Sequence, residues 1–260
     1  MRQTYRSVLV ASGGTGQTVW TLASGSLPNG LALSSAGVIT GSPTSVGMST
    51  FTVQASDAGW AGNVASQSLT IAVRAREILL YASDAVKIAG TWSLVADATA
   101  AGGTRLWNPN LGAAKLATPL ATPVNYFDIT FEAEAGVAYH FWLRGKADND
   151  FWGNDSVMIQ FSGSVDANGN PMYRIGTTSG GGVNLEDCSG CGESGWGWQD
   201  NGWGVNVFGP NIYFAQAGPQ TLRVQVKEDG FSIDQIVLSG GKYLTSAPGA
   251  LKNDTTILIR

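Results

Sequence analysis

Short β-branched or alternating runs, each closed by turn residues, dominate this chain. Phe51-Thr52-Val53-Gln54-Ala55, Leu69-Thr70-Ile71-Ala72-Val73 and Thr221-Leu222-Arg223-Val224-Gln225-Val226 are of this kind, and they read as half-buried strands. Gly, Asn and Pro stand between them, and no segment sustains a helical period. The 35 glycines among 260 residues are roughly twice the ordinary share of about 7%. The pattern predicts an all-β fold of sandwiches or barrels, and the length predicts two of them.

Composition excludes several partners. With 15 Lys+Arg against 19 Asp+Glu, a net charge of −4 and a pI near 4.9, the chain has no dense basic surface for phosphates, so no nucleic acid is expected. Nine Trp, nine Phe and seven Tyr supply a core and exclude global disorder. No apolar run approaches the roughly 18 residues of a membrane helix, so no membrane partner is expected. Met1-Arg2-Gln3-Thr4-Tyr5-Arg6 lacks the apolar centre of a signal peptide, which reads as a fragment of a longer, exported chain.

Arg74-Ala75-Arg76-Glu77 breaks the apolar pattern before a new strand at Ile78. The expected organisation is a first domain over 1–73, a second over 77–245 and a tail over 246–260. Residues before the break are small and nearly uncharged; those after it are richer in aromatic and acidic side chains.

Within 5–73 the order Trp20-Thr21-Leu22, Leu27-Pro28-Asn29-Gly30-Leu31, Gly37-Val38-Ile39-Thr40-Gly41, Pro43-Thr44 and Phe51-Thr52-Val53 ending in Asp57 resembles the bacterial immunoglobulin-like repeat of surface and secreted multidomain proteins. The resemblance implies an Ig-like β-sandwich acting as a spacer. Leu27-Pro28-Asn29-Gly30 is a turn in its own right, since Pro fixes φ and Gly supplies a positive φ. Trp20 is expected in the core.

Beyond 77, Tyr126 to Phe131, Ala135 to Arg144, Asn154 to Phe161, Ala217 to Val224 and Glu228 to Leu238 follow an order that resembles galactose-binding-type jelly rolls, above all malectin-like domains and carbohydrate-binding modules of families 6 and 35. The resemblance implies a β-jelly-roll and a non-catalytic sugar binder. It also implies a structural calcium held by an early acidic pair and a late Asp: Asp234 matches the late position, while Tyr81-Ala82-Ser83-Asp84 keeps only Asp84 where the early pair would be. Ser232 stands where those families carry a ligand Asn.

Trp196-Gly197-Trp198-Gln199-Asp200-Asn201-Gly202-Trp203 is the sharpest chemical feature. An indole lies flat against the CH face of a pyranose, while amides and carboxylates take its hydroxyls. Trp196 and Trp203 are therefore candidate stacking platforms, with Gln199, Asp200 and Asn201 orienting hydroxyls; Trp198 divides between site and core. Asp148-Asn149-Asp150-Phe151-Trp152-Gly153-Asn154-Asp155 offers Trp152 as a further platform and Asn154 as an orienting amide, or else an ordinary Asx turn.

Cys188-Ser189-Gly190-Cys191 is the only cysteine pair. No second pair or nearby His completes a zinc site, which leaves a short-loop disulfide, or reduced thiols as the alternative. An enzymatic reading needs two facing carboxylates; Glu186, Asp187, Glu193 and Asp200 lie near the Trp loop, but loop spacing says nothing about facing. The sole His, His140, sits in a strand-like alternation with no sign of a base.

These features predict a carbohydrate-binding module of an extracellular or cell-surface bacterial protein, monomeric within a larger multidomain chain. Its ligand is a neutral polysaccharide, a β-glucan or hemicellulose. The alternative is an adhesive or structural β-domain pair that binds protein through the same aromatic loop.

Overall fold

The computed structural model describes residues 4–73, 77–185, 194–204 and 207–250. The described chain forms two compact units, one on either side of residue 75; the regular elements of the first are strands, and those of the second are strands with four short 3-10 turns.

The first unit holds two three-stranded antiparallel sheets. In one, Val38–Gly41 lies between Tyr5–Val8 and Leu31–Leu33; in the other, Gly47–Asp57 lies between Thr18–Gly25 and Trp60–Val73. Alternation along these strands sends Ile39, Phe51, Val53 and Ile71 inward, where Trp20, Leu31 and Leu33 pack on them. Leu31 N–H donates to the Pro28 carbonyl at 3.0 Å, closing the expected turn. Gly30 has φ +90°, and a Cβ there would lie 2.2 Å from the Ser42 carbonyl, so only glycine fits. Buried Asp57 accepts from Thr15 N–H at 2.6 Å and Gly59 N–H at 2.9 Å, tying a loop to a hairpin.

The second unit is a jelly-roll sandwich of two large antiparallel sheets, with a two-stranded ladder of Ser164–Val165 and Tyr213–Phe214 beside them. One runs in the order Gly197–Gln199, His140–Ala147, Phe231–Ser239, Thr104–Asn108, Ser93–Ala96, with Ile78–Tyr81 also paired to Phe231–Ser239. The other runs Gly181–Asn184, Ser156–Phe161, Gly218–Val226, Tyr126–Ala133, Ala85–Ala89. Phe141, Leu143, Ile236 and Leu238 of the first sheet face Phe127, Ile129, Phe161 and Leu222 of the second. Edge-to-face aromatic pairs, Phe161 with Phe214 at 5.9 Å among them, fill the interior.

The outward residues of His140–Ala147 are His140, Trp142, Arg144 and Lys146, because Phe141 and Leu143 point inward. Over Trp142 and Val237 the segment after Ser239 folds back: Tyr243 packs on both, and Trp142 Nε1 donates to the Tyr243 carbonyl at 2.7 Å. This small second core covers one part of the outer face. The part bearing Arg144 and Lys146 carries the candidate site.

Candidate functional site

Strand Gly197–Gln199 runs antiparallel to His140–Ala147, with Trp198 opposite Arg144 and Gln199 opposite Leu143. That pairing divides the Trp-rich segment. Trp196 falls at the Lys146 end of the strand, while Asp200 falls towards the His140 end, about 13 Å away at roughly 3.3 Å per residue. The single loop site read from sequence is thus two places.

At the Lys146 end, the Trp196 indole lies over two cations, Lys146 Nζ at 4.8 Å and the Arg144 guanidinium at 5.1 Å from the ring centroid. Its Nε1–H donates to Thr99 Oγ1 at 2.9 Å. Thr99 Oγ1–H in turn donates to Asp97 Oδ1 at 2.6 Å, and Asp97 Oδ2 meets Lys146 Nζ at 3.1 Å and Arg105 Nε at 3.2 Å. Hydrogen bonds from Thr99 outweigh burial and hold the Asp97 carboxyl down at about 2, so it is ionised throughout the physiological range.

The Asp148–Asp150 turn follows directly on Ala147 and joins this place. Asp148 Oδ2 accepts from Trp107 Nε1 at 2.8 Å, and Asp150 Oδ1 accepts from Gly195 N–H at 3.0 Å, one residue before Trp196. Asn149 and Asp150 have φ of 60° and 51°, left-handed conformations uncommon outside glycine. The turn presents Phe151 and Trp152, the latter 57% exposed. Trp107, Trp152 and Trp196 are thereby brought to one end of the outer face, beside Arg105, Lys146, Asp97 and Asp148.

Several expected ligand contacts are corrected by burial. Asn154 is buried, and its Nδ2 donates to the Asp148 carbonyl at 3.2 Å, so it builds the turn. Asp200 is 4% exposed; its carboxylate accepts from Gly202 N–H and Gly209 N–H at 2.9 Å each and lies 3.1 Å from His140 Nε2. Asn201 is buried and donates to the Pro210 carbonyl at 3.2 Å. Both hold their own loop, because short polar side chains in a tight turn find backbone partners first. Gln199, opposite inward Leu143, is half-buried. Trp198 packs on the Trp142, Val237 and Tyr243 cluster and donates Nε1–H to the Gly249 carbonyl. Trp203 is 63% exposed but stands on the Asp200 loop, away from Trp152 and Trp196.

The residues named for calcium do not fit one. Asp84 is exposed and its Oδ2 accepts from Tyr81 N–H at 2.8 Å. Asp234 is wholly buried, and its Oδ2 accepts from Arg144 Nη1 and Ala101 N–H at 2.7 Å each. Its counter-ion is a guanidinium, and its Oδ1 has no hydrogen-bond partner, so burial pushes the carboxyl up to about 6. Calcium takes six to eight oxygens, and among the described residues no cluster of three or more His, Cys, Asp or Glu is placed to hold a metal. Cys188 and Cys191 lie outside the described residues, as do Glu186, Asp187 and Glu193.

Residues 2–74 match the family described as Putative Ig domain. The first unit is Ig-like. No curated protein matches the chain. Among solved structures, the chain is similar to the C-terminal CBM6 of LamC, a laminarinase of Zobellia galactanivorans, at 10% identity and TM-score 0.38 over 63% of this chain and 98% of that one. It is similar at 16% identity and TM-score 0.33 to a family 35 carbohydrate-binding module of Clostridium thermocellum, over 62% and 98%. A carbohydrate-binding module of Cellvibrio mixtus lichenase 5A in complex with cellotriose matches at 12% identity and TM-score 0.36, over 65% and 99%.

Sequence reasoning missed Trp107, Arg105, Lys146, Asp97 and Thr99. The signals were present: Arg105 and Trp107, like Arg144 and Lys146, are two apart on strands and so share a face, and Asp97-Ala98-Thr99 is an Asx-turn spacing.

Proposed function

We propose that the second unit binds a neutral polysaccharide, a β-glucan or hemicellulose, without cleaving it, and that the Ig-like unit is its spacer in an extracellular bacterial protein. The observation that carries this reading is Trp196, an indole laid on Lys146 and Arg144 and tethered at its Nε1, with exposed Trp152 on the adjoining turn. Two indoles beside hydrogen-bonding side chains are what a pyranose requires. Charge favours a neutral sugar: Arg105, Lys146 and Arg144 stand with Asp97, Asp234, Asp148 and Asp150, so this place has no net positive charge for a uronate. So few contacts imply micromolar to millimolar dissociation constants, about −8 to −4 kcal/mol.

Affinity electrophoresis against mixed-linkage β-glucan, xyloglucan, galactomannan, xylan and pectin tests the reading. Retardation by a neutral glycan, abolished in Trp196→Ala, weakened in Trp152→Ala and kept in Trp203→Ala, is the expected result. Retardation by none of them, with the fold intact, overturns it in favour of the protein-binding alternative.

A further inference from the structure

We propose that Asp97 is the positioning residue of this site: through Thr99 on one side and Lys146 on the other, it fixes the plane of the Trp196 indole. The proposal rests on the carbohydrate reading of Trp196 and assigns a role to a carboxylate that touches no sugar.

The geometry is a closed ring of four side chains. Trp196 Nε1–H donates to Thr99 Oγ1 at 2.9 Å, Thr99 Oγ1–H donates to Asp97 Oδ1 at 2.6 Å, Asp97 Oδ2 pairs with Lys146 Nζ at 3.1 Å, and Lys146 Nζ returns to the Trp196 ring at 4.8 Å. Each hydroxyl and amine is used in the sense its chemistry requires. The Thr99 hydroxyl has one proton, which goes to the carboxylate, so its lone pair faces the indole N–H. Bonds in such a chain polarise one another and strengthen together. The edge of the indole is held by Thr99 and its face by Lys146. Two points of attachment fix a plane where one allows rotation.

Asp97 is itself held. Thr99 N–H donates to its Oδ1 at 2.9 Å and Arg105 Nε lies 3.2 Å from its Oδ2. Trp196 sits on a loop beyond the end of Gly197–Gln199 and would otherwise be free to swing. A platform ordered before the ligand arrives spares the rotamer entropy that binding must otherwise overcome. That corresponds to roughly three- to tenfold in affinity for one large side chain.

The test uses the whole chain labelled with 5-fluorotryptophan, the Trp196 fluorine resonance being assigned by its loss in Trp196→Phe. In Asp97→Ala, and in Lys146→Met as a second cut of the same ring, the Trp196 resonance moves towards that of free tryptophan while the Trp203 resonance stays in place. Retardation by mixed-linkage β-glucan falls roughly three- to tenfold in both variants, against complete loss in Trp196→Ala. Asp97→Asn, which keeps an oxygen towards Thr99, falls between the two. An unmoved Trp196 resonance in Asp97→Ala and Lys146→Met overturns the proposal whatever the glycan result. Unchanged retardation in both variants, with Trp196→Ala inactive, overturns it while sparing the carbohydrate reading. If Trp196→Ala is retarded like the wild type, the carbohydrate reading of Trp196 fails and the functional part of this proposal falls with it.

Discussion

Arg144 Nη1 donates to Asp234 Oδ2 across 2.7 Å, and it does so where the ladder between their strands slips by one residue. Arg144 pairs with Gln235 and Gly145 with Ile233, leaving Asp234 as the extra residue of the bulge. The bulge turns a buried carboxylate onto the outer face, beneath the cation that supports Trp196.

Breaking this pair from the cationic side leaves a buried carboxylate with no counter-ion. Arg144→Met is expected to lower stability by about 3–5 kcal/mol, read as a fall in the urea midpoint at neutral pH. Arg144→Met with Asp234→Asn should recover much of that loss, because the stranded charge is gone. A single variant as stable as the wild type would remove Arg144 as the counter-ion.

The same pairing predicts indifference to calcium. A metal that binds only the folded state raises stability by about 2.7 kcal/mol at a hundred times its dissociation constant. With the Asp234 carboxylate engaged by Arg144 and Ala101, the melting temperature should be equal in millimolar calcium and in chelator. A clear rise on adding calcium contradicts the assignment.

Acidity should act through Asp234 in the unusual direction. Burial raises its carboxyl from 3.8 to about 6, and burial likewise raises Glu77. A carboxyl raised in the folded state binds its proton more tightly there, so its contribution is present below its unfolded value and lost as pH climbs through 6. Stability should therefore increase on going from pH 7 to about 4.5, by about 2 of the roughly 3 kcal/mol that two pK units at Asp234 represent. Below 4 the trend reverses as Asp97, held at about 2, and Asp200 and Glu228, both held below their ordinary values, begin to protonate. Asp234→Asn should flatten the rise between pH 7 and 4.5 in a series of urea titrations.

The strands were legible because period-2 alternation and turn chemistry are local, and the expected Leu27 to Gly30 turn and the Trp20 core position follow from such local rules. The site was legible only in part. The indoles as candidate platforms could be read from residue type, and the structure leaves Trp152 exposed and lays Trp196 on Lys146 and Arg144. That Asp200 and Asn201 face their own backbone could not, because their partners are set by how the loop closes. His140, sixty positions before Asp200, meets it only through strand pairing. Nor could sequence show that one antiparallel strand would carry Trp196 and Trp203 to opposite ends of a sheet.

Asn149 sits at φ 60° in the turn that bears Trp152. Asn tolerates this region and glycine prefers it, whereas a β-branched residue there is strained. Asn149→Gly should match the wild type in thermal unfolding, while Asn149→Val loses roughly 1–3 kcal/mol and weakens glycan retention with it. Equal stability of the two variants would show that the turn does not hold this conformation in solution.

The loop bearing Trp203 is closed by Asp200 through two backbone bonds, with the Asn201 bond to Pro210 beside them. Burial would raise that carboxyl, but hydrogen bonds from His140, Gly209 and Gly202 outweigh burial and keep it ionised. Its two backbone bonds draw Gly202 and Gly209 together so closely that a Cβ on Gly202 would lie 2.2 Å from the Val207 carbonyl, and one on Gly209 would lie 2.6 Å from the Asn201 carbonyl. The glycines thus serve the loop's own closure. Asp200→Ala leaves two backbone N–H groups and the His140 imidazole without their acceptor, at a cost of about 1–3 kcal/mol for each group that stays buried. The cheaper response is for the loop to open, since Trp203 and Phe208 at its tip are already exposed. Limited chymotryptic digestion should therefore cut Asp200→Ala at Trp203 or Phe208 at enzyme levels that leave the wild type whole. Retention on glycan, which the proposed function assigns to the other end of the sheet, should persist in the uncut variant. Resistance to cleavage equal to the wild type would mean that the loop is held by something other than Asp200.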